Sequence, residues 1–367
     1  MAKSPFRDIT AMELAGQIAA RRKCIKKLPT WFTTAGIYYP PLLSVEQCSS
    51  EITASYKAKL TAGNNLIDLT GGYGVDSYYF AKRNNKVIHC EINSELSAIA
   101  EYNSGPLQQH NTHFVCTDGI TCIQKHDDDF DTIYIDPARR SNSGKVFMLK
   151  DCTPNVIDHL DLLLSRCSQL LIKTAPLLDI TAGLKELKNV AEIHIVSIRN
   201  ECKELVWLLK KEHTGPVKII CAALNTIEKK FSFFRDEEQI PATLSSPQSG
   251  DYLYEPDAAL LKSGAFNHIA NTYGLQKLHS QTQLYVSAEL KPEFPGRIFK
   301  IEEVLSAGDI KKNKNLSGNV IVRNFPGEAA ALVRKYQIKP DDNLFMIFSQ
   351  SSGDKKIVIK AGIIQHY

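Results

Sequence analysis

The stretch LIDLTGGYGVDSYYFA, from Leu66 to Ala81, indicates the fold more directly than any other part of this chain. A short apolar run ends in Asp68, three glycines follow, and a helical pattern resumes at Val75. A strand, a glycine turn and a helix in this order are typical of α/β sheets whose backbone approaches a nucleotide-like ligand. Glycine suits such a turn because a Cβ would block the approach and because the backbone often needs a positive φ. The stretch therefore predicts the first strand of a nucleotide-binding sheet.

The composition is that of an ordinary globular protein. The chain has 367 residues, of which 43% are hydrophobic and 23% charged, and a length of this size holds two or three domains. No apolar run approaches the ~18 residues of a membrane span, and the start lacks the apolar region of a signal peptide. Nine scattered cysteines form no CxxC pair, which favours buried cytosolic thiols over zinc or disulfides. We expect a cytoplasmic protein without a metal site.

The charges are unevenly distributed along the chain. Residues 1–60 carry nine basic and four acidic side chains, residues 292–367 carry twelve and eight, and the middle carries 23 and 28. Basic ends suggest a polyanionic partner held by the flanks. Ordinary solvated basic faces explain the same counts, and charge alone favours that simpler interpretation.

Regular alternation of strands and helices follows the glycine turn. Apolar runs that do not alternate in polarity predict strands covered on both faces, as in a parallel sheet. Two further runs, 204–210 and 217–224, lie close together and read as an antiparallel hairpin that closes the sheet. The six predicted strands of the parallel part are 66–69, 86–91, 112–116, 131–136, 169–174 and 192–197.

Four acidic residues stand at or just after the ends of successive predicted strands, namely Asp68, Glu91, Asp118 and Asp136. Any one of them alone would be typical of a surface acid or a helix cap. The carboxyl ends of parallel strands meet at one edge of the sheet, where ligands bind. All four in this order, with the glycine turn after the first, therefore predict a ligand site at that edge.

The motif D-x-T-x-G-x-G, formed by Asp68, Thr70, Gly72 and Gly74, resembles motif I of class I S-adenosylmethionine-dependent methyltransferases, with Thr70 in place of the usual first glycine. EQCSSEITASYKAKL, IDPARR, EPDAALLKSGAF, PGRIFKI and NVIVRNFPGEAAAL resemble a narrower group, whose members add a small ferredoxin-like segment and a terminal THUMP-like domain. The resemblance implies an α/β fold with a Rossmann-like, seven-stranded, mostly parallel sheet. The implied regions are an N-terminal helical extension (1–60), the methyltransferase domain (61–225), a linker with the ferredoxin-like segment (226–290) and a small α+β THUMP-like module (291–367).

The resemblance also implies the cofactor, S-adenosyl-L-methionine, and the roles of the strand-end acids. Asp68 would order the amino-acid end of this methyl donor, Glu91 would accept hydrogen bonds from the ribose hydroxyls, and Asp118 would receive the adenine amine beside the backbone of Gly119. The implied donor site consists of Asp68, Thr70, Gly71, Gly72, Gly74, Asp76, Glu91, Ile92, Asp118, Gly119 and Asp136.

The segment Asp136-Pro137-Ala138-Arg139 sits where amine methylases carry D/N-P-P-Y/F/W. In those enzymes the acid and the proline carbonyl accept hydrogen bonds from a planar amine, and the aromatic side chain stacks on the base. Asp136 and Pro137 are our candidates for the first task. Arg139 replaces the aromatic residue, and a guanidinium can stack on a base or bind phosphate. The alternative for Arg139 is an ion pair with an acid such as Asp151.

THUMP domains bind RNA in several modifying enzymes, so the resemblance suggests RNA as the substrate. Our first hypothesis is a cytoplasmic methyltransferase that acts on an RNA base amine near Asp136. A methyltransferase for proteins or small molecules and an RNA-binding protein that keeps the donor site without turnover remain alternatives. A nicotinamide oxidoreductase is the weakest one, because Ser77 stands where a third glycine is needed. Lys173, at the end of the fifth predicted strand, either lines the pocket or extends its ammonium group to solvent.

Overall fold

The computed structural model describes residues 6, 8–139, 148–237, 240–306, 308–311 and 316–367. The chain forms two compact units that exchange a short segment. Unit 1 consists of Met1–Ile193 and Glu204–Val217, and unit 2 of His194–Lys203 and Lys218–Tyr367. In these described ranges, every helix is too short or too polar to cross a lipid bilayer.

Nine α-helices are described in unit 1, and the first of them starts at a side-chain cap. It begins after Thr10, whose side chain accepts a hydrogen bond from the backbone of Glu13 and so caps the helix. The helices are α1 (Ala11–Lys27), α2 (Pro29–Thr33), α3 (Leu42–Gln47), α4 (Glu51–Ala58), α5 (Val75–Ala81), α6 (Ser94–Ser104), α7 (Gly119–Lys125), α8 (Val156–Ser165) and α9 (Ile180–Glu186).

The basic end of α1 is largely used within the protein. The ammonium group of Lys27 donates to the backbone carbonyls of Val45 (2.9 Å) and Glu46 (2.6 Å), and Lys23 forms an ion pair with the Glu46 carboxylate. These contacts tie α1 to α3. The helix end therefore has a structural role that leaves few of its charges for an external polyanion.

The first sheet of the described residues has nine strands. Seven of them lie in the order β8-β9-β7-β4-β1-β2-β3, and two more, Lys218–Leu224 and Glu228–Phe234, continue the sheet beyond β8. Pairing is parallel between β1 and β2, β1 and β4, β2 and β3, and β4 and β7, whereas β9 runs antiparallel to β7. This confirms the Rossmann-like class I methyltransferase fold, but the sheet is mixed and has nine strands where the sequence predicts seven. The strands are β1 (Asn65–Asp68), β2 (Lys86–Glu91), β3 (Thr112–Cys116), β4 (Phe130–Ile135), the two short strands β5 (Ala138–Arg139) and β6 (Cys152–Thr153), β7 (Cys167–Thr174), β8 (Val190–Ile198) and β9 (Glu201–Lys210).

The predicted hairpin between residues 204–210 and 217–224 is wrong. Arg199 and Asn200 form a two-residue turn with φ values of 51° and 61°, and such turns join adjacent antiparallel strands. This turn makes β8 the hairpin partner of β9. The next strand, β10 (Lys218–Leu224), pairs antiparallel with β11 (Glu228–Phe234).

Unit 2 continues as an α+β module built on a second sheet of seven strands, in the order β13-β14-β12-β15-β18-β17-β16. Strand β12 pairs antiparallel with both β14 and β15. The elements are β12 (Tyr252–Pro256), α10 (Ala258–Ser263), α11 (Phe266–Tyr273), β13 (Gln276–His279), β14 (Thr282–Ser287), β15 (Gly296–Ser306), β16 (Asn319–Val322), α12 (Ala329–Tyr336), β17 (Leu344–Ser351) and β18 (Lys355–Gln365).

The aromatic side chains of the THUMP-like region belong to the core of unit 2. Phe299, Phe345 and Phe348 are buried, and Phe325 and Tyr336 pack on Phe348. Three of these five rings are buried and two are half-buried against the core, so they contribute mainly to packing.

Candidate active site

The glycine turn connects β1 to α5 at the carboxyl edge of the unit 1 sheet. Gly72 and Gly74 have φ values of +55° and +82°, which explains glycine at both positions. The amide of Gly71 donates to the carbonyl of Cys90 on β2 at 2.7 Å. The turn is thus fastened to the neighbouring strand, and a Cβ added at Gly72 would meet nothing closer than 3.9 Å.

Asp68 supports this turn from the inside, because its side chain is fully buried. One carboxylate oxygen accepts the amide of Thr70 at 3.1 Å, and the other accepts the hydroxyl of Ser77 at 2.7 Å. Burial raises the pKa of Asp68 to about 7, against the effect of these two donors. Ser77 stands where a dinucleotide fingerprint would have a third glycine, and in the structure its hydroxyl closes the turn onto Asp68.

A histidine ring lies directly behind the turn. His89 on β2 is fully buried, and burial lowers its pKa, so the ring is neutral. A Cβ added at Gly71 would lie 2.2 Å from the Nε2 atom of this ring. Gly71 is therefore required for packing, whereas the space in front of Gly72 is free.

Glu91 ends β2 beside the turn. Its carboxylate accepts the amide of Gly72 and the amide of Asn93, each at 2.8 Å. The next residue, Ile92, is a large apolar side chain that is 73% exposed. An anchored carboxylate next to an open apolar side chain suits a ligand with a hydroxylated ring and a flat apolar group.

Asp118 lies just beyond the strand beside Glu91, since Glu91 pairs with Cys116 in the parallel ladder. One oxygen of Asp118 caps α7 by accepting the amide and the hydroxyl of Thr121, at 2.8 and 2.9 Å. At Gly119 a Cβ would fall 2.3 Å from the carbonyl oxygen of Leu69. Glycine at position 119 therefore lets α7 start against the end of β1.

Asp136 follows β4, and two neighbours fix its position. Its amide donates to the hydroxyl of Thr70 at 2.7 Å, and its Oδ2 atom forms an ion pair with the ammonium group of Lys173 at 2.7 Å. Burial disfavours the charged form of Lys173, but the nearby carboxylates of Asp136 and Glu204 outweigh it and raise its pKa. Thr70 therefore connects the glycine turn to the strand-end acid.

A pocket of about 330 Å³ opens beside Asp136, at the lower end of the range for small-molecule sites. The segment 140–147, which follows β5 in the chain, lies outside the described residues. The described lining of the pocket consists of Gln47, Asp136, Pro137, Ala138, Met148, Leu149, Asp151, Cys152, Lys173, Thr174, Ala175 and Leu178.

A buried ionic network lies in the same unit. Lys57 is fully buried and contacts Asp76 at 3.0 Å and Glu204 at 3.3 Å. Asp76 also accepts the hydroxyls of Ser49 (2.7 Å) and Tyr134 (3.1 Å). Burial raises the pKa of Glu204, whereas for Lys57 the surrounding carboxylates outweigh burial and raise its pKa. The carboxylate of Asp76 is thus committed to this network, which the sequence did not reveal.

The contacts predicted for Arg139 remain a prediction, and its neighbour Arg140 is not described. The backbone of Arg139 forms part of β5, whereas the side chain of Arg139 and all of Arg140 lie outside the described residues. The chain breaks between α3 and α4, because Ser50 accepts the amide of Thr53 and starts a new helix, α4. This break places Gln47 at the pocket and Lys57 in the buried network.

The turn, the anchored Glu91, the open Ile92 and the capped Asp118 fit the methyl donor implied by the sequence. The donor needs a bare backbone at its amino-acid end and carboxylate acceptors for its ribose and amine. The free space at Gly72 and the shared edge of β1, β2 and β3 meet these needs. In the described ranges, no group of three or more His, Cys, Asp or Glu side chains could hold a metal ion.

Comparisons with known proteins agree with this architecture. A ferredoxin-like domain model matches residues 252–295, and a THUMP domain-like model matches residues 296–362. Two curated relatives from Mycobacterium tuberculosis strains, both described as uncharacterized S-adenosylmethionine-dependent methyltransferases, are 24% identical over 303 residues, covering 81% of this chain and 77% of theirs.

The full-length likeness comes from a solved structure described as a "putative methyltransferase from Porphyromonas gingivalis W83". It has 29% sequence identity and a TM-score of 0.85, and the match covers 98% of this chain and 93% of that one. Sheet, donor-site geometry and domain matches thus lead to the same conclusion. The chain is an S-adenosylmethionine-dependent methyltransferase, and after its sheet domain it carries a ferredoxin-like segment and a THUMP-like module.

Proposed function

We propose that this methyltransferase acts on RNA and transfers the methyl group to a base amine held by Asp136. The observation that carries the proposal is the position of Asp136, which stands at the carboxyl end of β4, beside the pocket and one hydrogen bond from the glycine turn. A target group on Asp136 would therefore lie close to a donor on the turn.

We assign the donor to the turn and its neighbours. Gly71, Gly72 and Gly74 would present the bare backbone, and Thr70 would link that backbone to the target side. Glu91 would accept the ribose hydroxyls, Ile92 would cover the adenine ring, and Asp118 with the amide of Gly119 would meet its amine. Asp68 and Asp76 act indirectly in this proposal, because both carboxylates are occupied inside the protein.

Positioning and exclusion of water account for the rate. S-adenosylmethionine would supply a methyl group activated on a sulfonium. The C–S bond would break as the C–N bond forms, S-adenosylhomocysteine would leave, and the amine proton held by Asp136 would pass through that carboxylate to solvent. The protein has to hold the amine in line and keep water out. Asp136 can accept one amine hydrogen through its Oδ1 atom, for which the described residues provide no partner, and the buried Pro137 stiffens the following backbone.

The THUMP-like module supports RNA over other substrates, since domains of this kind bind RNA. Its described surface carries exposed basic residues at Arg334, Lys335, Lys339, Lys355 and Lys356. Because most aromatic rings of the module pack in its core, RNA would be held mainly through its phosphates. Affinity should then fall steeply with added salt.

The test incubates the purified chain with radiolabelled donor and with either deproteinised total RNA or an RNA-free protein extract from cells that lack this protein. We expect label in RNA and its loss in Asp136→Ala. The matched control is Asp127→Ala, which removes an exposed acid of the loop before β4. Label confined to protein would refute the RNA assignment, and equal RNA labelling by both variants would refute the role of Asp136.

A further inference from the structure

Asp136 and Lys173 form an ion pair that presents both a hydrogen-bond acceptor and hydrogen-bond donors to the pocket. The carboxylate supplies only hydrogen-bond acceptors, and the ammonium group supplies only hydrogen-bond donors. Their contact of 2.7 Å occupies Oδ2 of Asp136 and one of the three hydrogens on Lys173. An acceptor, Oδ1, and further donors therefore remain side by side, and both residues line the pocket.

This arrangement differs from that of two acceptors, which would hold both hydrogens of an amine. A single acceptor next to a donor matches a partner that presents one N–H beside one lone pair. The charge of Lys173 is retained at neutral pH, since the neighbouring carboxylates outweigh burial and raise its pKa. Lys173 thus cannot act as an acceptor, and the pair has a fixed polarity.

We propose that Asp136 and Lys173 together read the Watson–Crick edge of a base on which an exocyclic amine adjoins an unprotonated ring nitrogen, an arrangement that adenine and cytosine share on that edge. This inference rests on the proposed function, and it assigns to Lys173 the choice of base. Asp136 accepts one amine hydrogen, and Lys173 donates to the ring nitrogen. The amine is then held in the plane of the base.

The guanine amine adjoins an unprotonated nitrogen, N3, only on the sugar edge, where the ribose flanks the approach. On their Watson–Crick edges, guanine and uracil present a donor beside an acceptor as a ring N–H next to a carbonyl. In that case methylation at the ring nitrogen would have to proceed in the ring plane, along the direction of the N–H bond. Asp136 would occupy this direction. An exocyclic amine donates in the plane and is attacked through its face, so contact with Asp136 leaves the path to the methyl group open.

The first measurement identifies the labelled nucleoside after digestion of RNA methylated by the full chain. We expect methylation on the exocyclic amine of adenosine or of cytidine, and chromatography distinguishes the two. Label on guanosine or uridine would overturn the inference while leaving the RNA assignment intact. Absence of RNA label alongside labelled protein would instead refute the proposed function, and this inference with it.

The second measurement uses a synthetic RNA of the labelled sequence in which the ring nitrogen of the target base is replaced by C–H, as in 1-deazaadenosine or 3-deazacytidine. A lost hydrogen bond to a charged donor should lower kcat/KM of the wild-type chain by about 10–100-fold. The amine is unchanged in the analogue, so a wild-type chain that methylates both RNAs equally would overturn the inference without any variant.

The third measurement tests whether the preference for the natural RNA over the analogue depends on Lys173. In Lys173→Met the two RNAs should be methylated at similar rates, because the donor is gone, whereas Lys173→Arg should restore part of the preference. Lys185→Met, which removes an exposed lysine of α9, should keep the full preference. If Lys173→Met still penalised the analogue as strongly as the wild type does, Lys173 would have only a structural role.

Discussion

Substitution by alanine should affect different properties at the two adjacent glycines of the turn: stability at Gly71 and donor affinity at Gly72. At Gly71 an added Cβ would lie 2.2 Å from Nε2 and 2.3 Å from Cδ2 of His89. The ring is fully buried and cannot swing into solvent. Gly71→Ala should therefore lower the free energy of unfolding by about 1–3 kcal/mol, as overpacking of a core usually does.

At Gly72 the added Cβ meets no protein atom closer than 3.9 Å. The remaining cost is the left-handed backbone, about 1–2 kcal/mol for a residue with a Cβ, offset by roughly 0.4–1 kcal/mol from the stiffer unfolded chain. Gly72→Ala should thus change stability by no more than about 1.5 kcal/mol. If the donor lies on this turn, however, the Cβ takes up its space, and affinity should fall at least tenfold.

Isothermal titration with S-adenosylhomocysteine and urea unfolding separate the two effects. Gly274→Ala is the matched control, because Gly274 has a φ of +62°, has no other atom within 4 Å of an added Cβ, and lies in unit 2. It should match Gly72→Ala in stability and the wild type in affinity. Unchanged affinity in a folded Gly72→Ala protein would refute the placement of the donor on the turn.

Three further outcomes follow from the buried side chains of unit 1. Because the pKa of Asp68 is raised from 3.8 to about 7, its contribution to stability is complete below pH ~4 and is lost as the pH rises to about 7; Asp68→Asn should flatten this part of the melting-temperature profile, and an unchanged profile would exclude Asp68 as its source. Lys57→Met should lower the free energy of unfolding by about 3–5 kcal/mol, since it leaves buried carboxylates without their cation, and Glu204→Gln in the same chain should recover part of the loss in urea unfolding. Thr70→Val should cost about 1 kcal/mol and slow methyl transfer, because the amide of Asp136 loses its acceptor, whereas Thr70→Ser should keep the hydroxyl and the rate.

Much of unit 1 could be predicted from local sequence signals. The strands at 86–91 and 112–116 match β2 and β3 residue for residue, because short apolar runs bounded by polar turns indicate the strands of a parallel sheet. The acids at the strand ends could be predicted for the same reason, since the end of each apolar run marks the carboxyl edge of the sheet. The hairpin was misplaced because Arg199 and Asn200 adopt positive φ without the glycine that usually signals such a turn.

The long-range ion pairs in and near the site could not be predicted in this way. Lys57 and Glu204 are 147 residues apart, and nothing in their local sequence indicates that each is buried against the other. Lys173 can be recognised in the sequence as a lysine at a strand end. Its role as a donor beside an acceptor depends on Asp136, which lies 37 residues earlier, just after the neighbouring strand. Pairings at such separations are set by sheet order, which a single sequence does not reveal.

The route of the chain between the two units limits how this protein can be divided. The chain leaves unit 1 after Ile193 and re-enters it at Glu204, where β9 takes its place beside β7. A fragment that stopped at the first exit would lack an interior strand and the carboxylate that faces Lys57. Unit 1 can therefore be complete only once the ribosome has synthesised residues up to Val217, and a truncation meant to isolate it should end beyond that point.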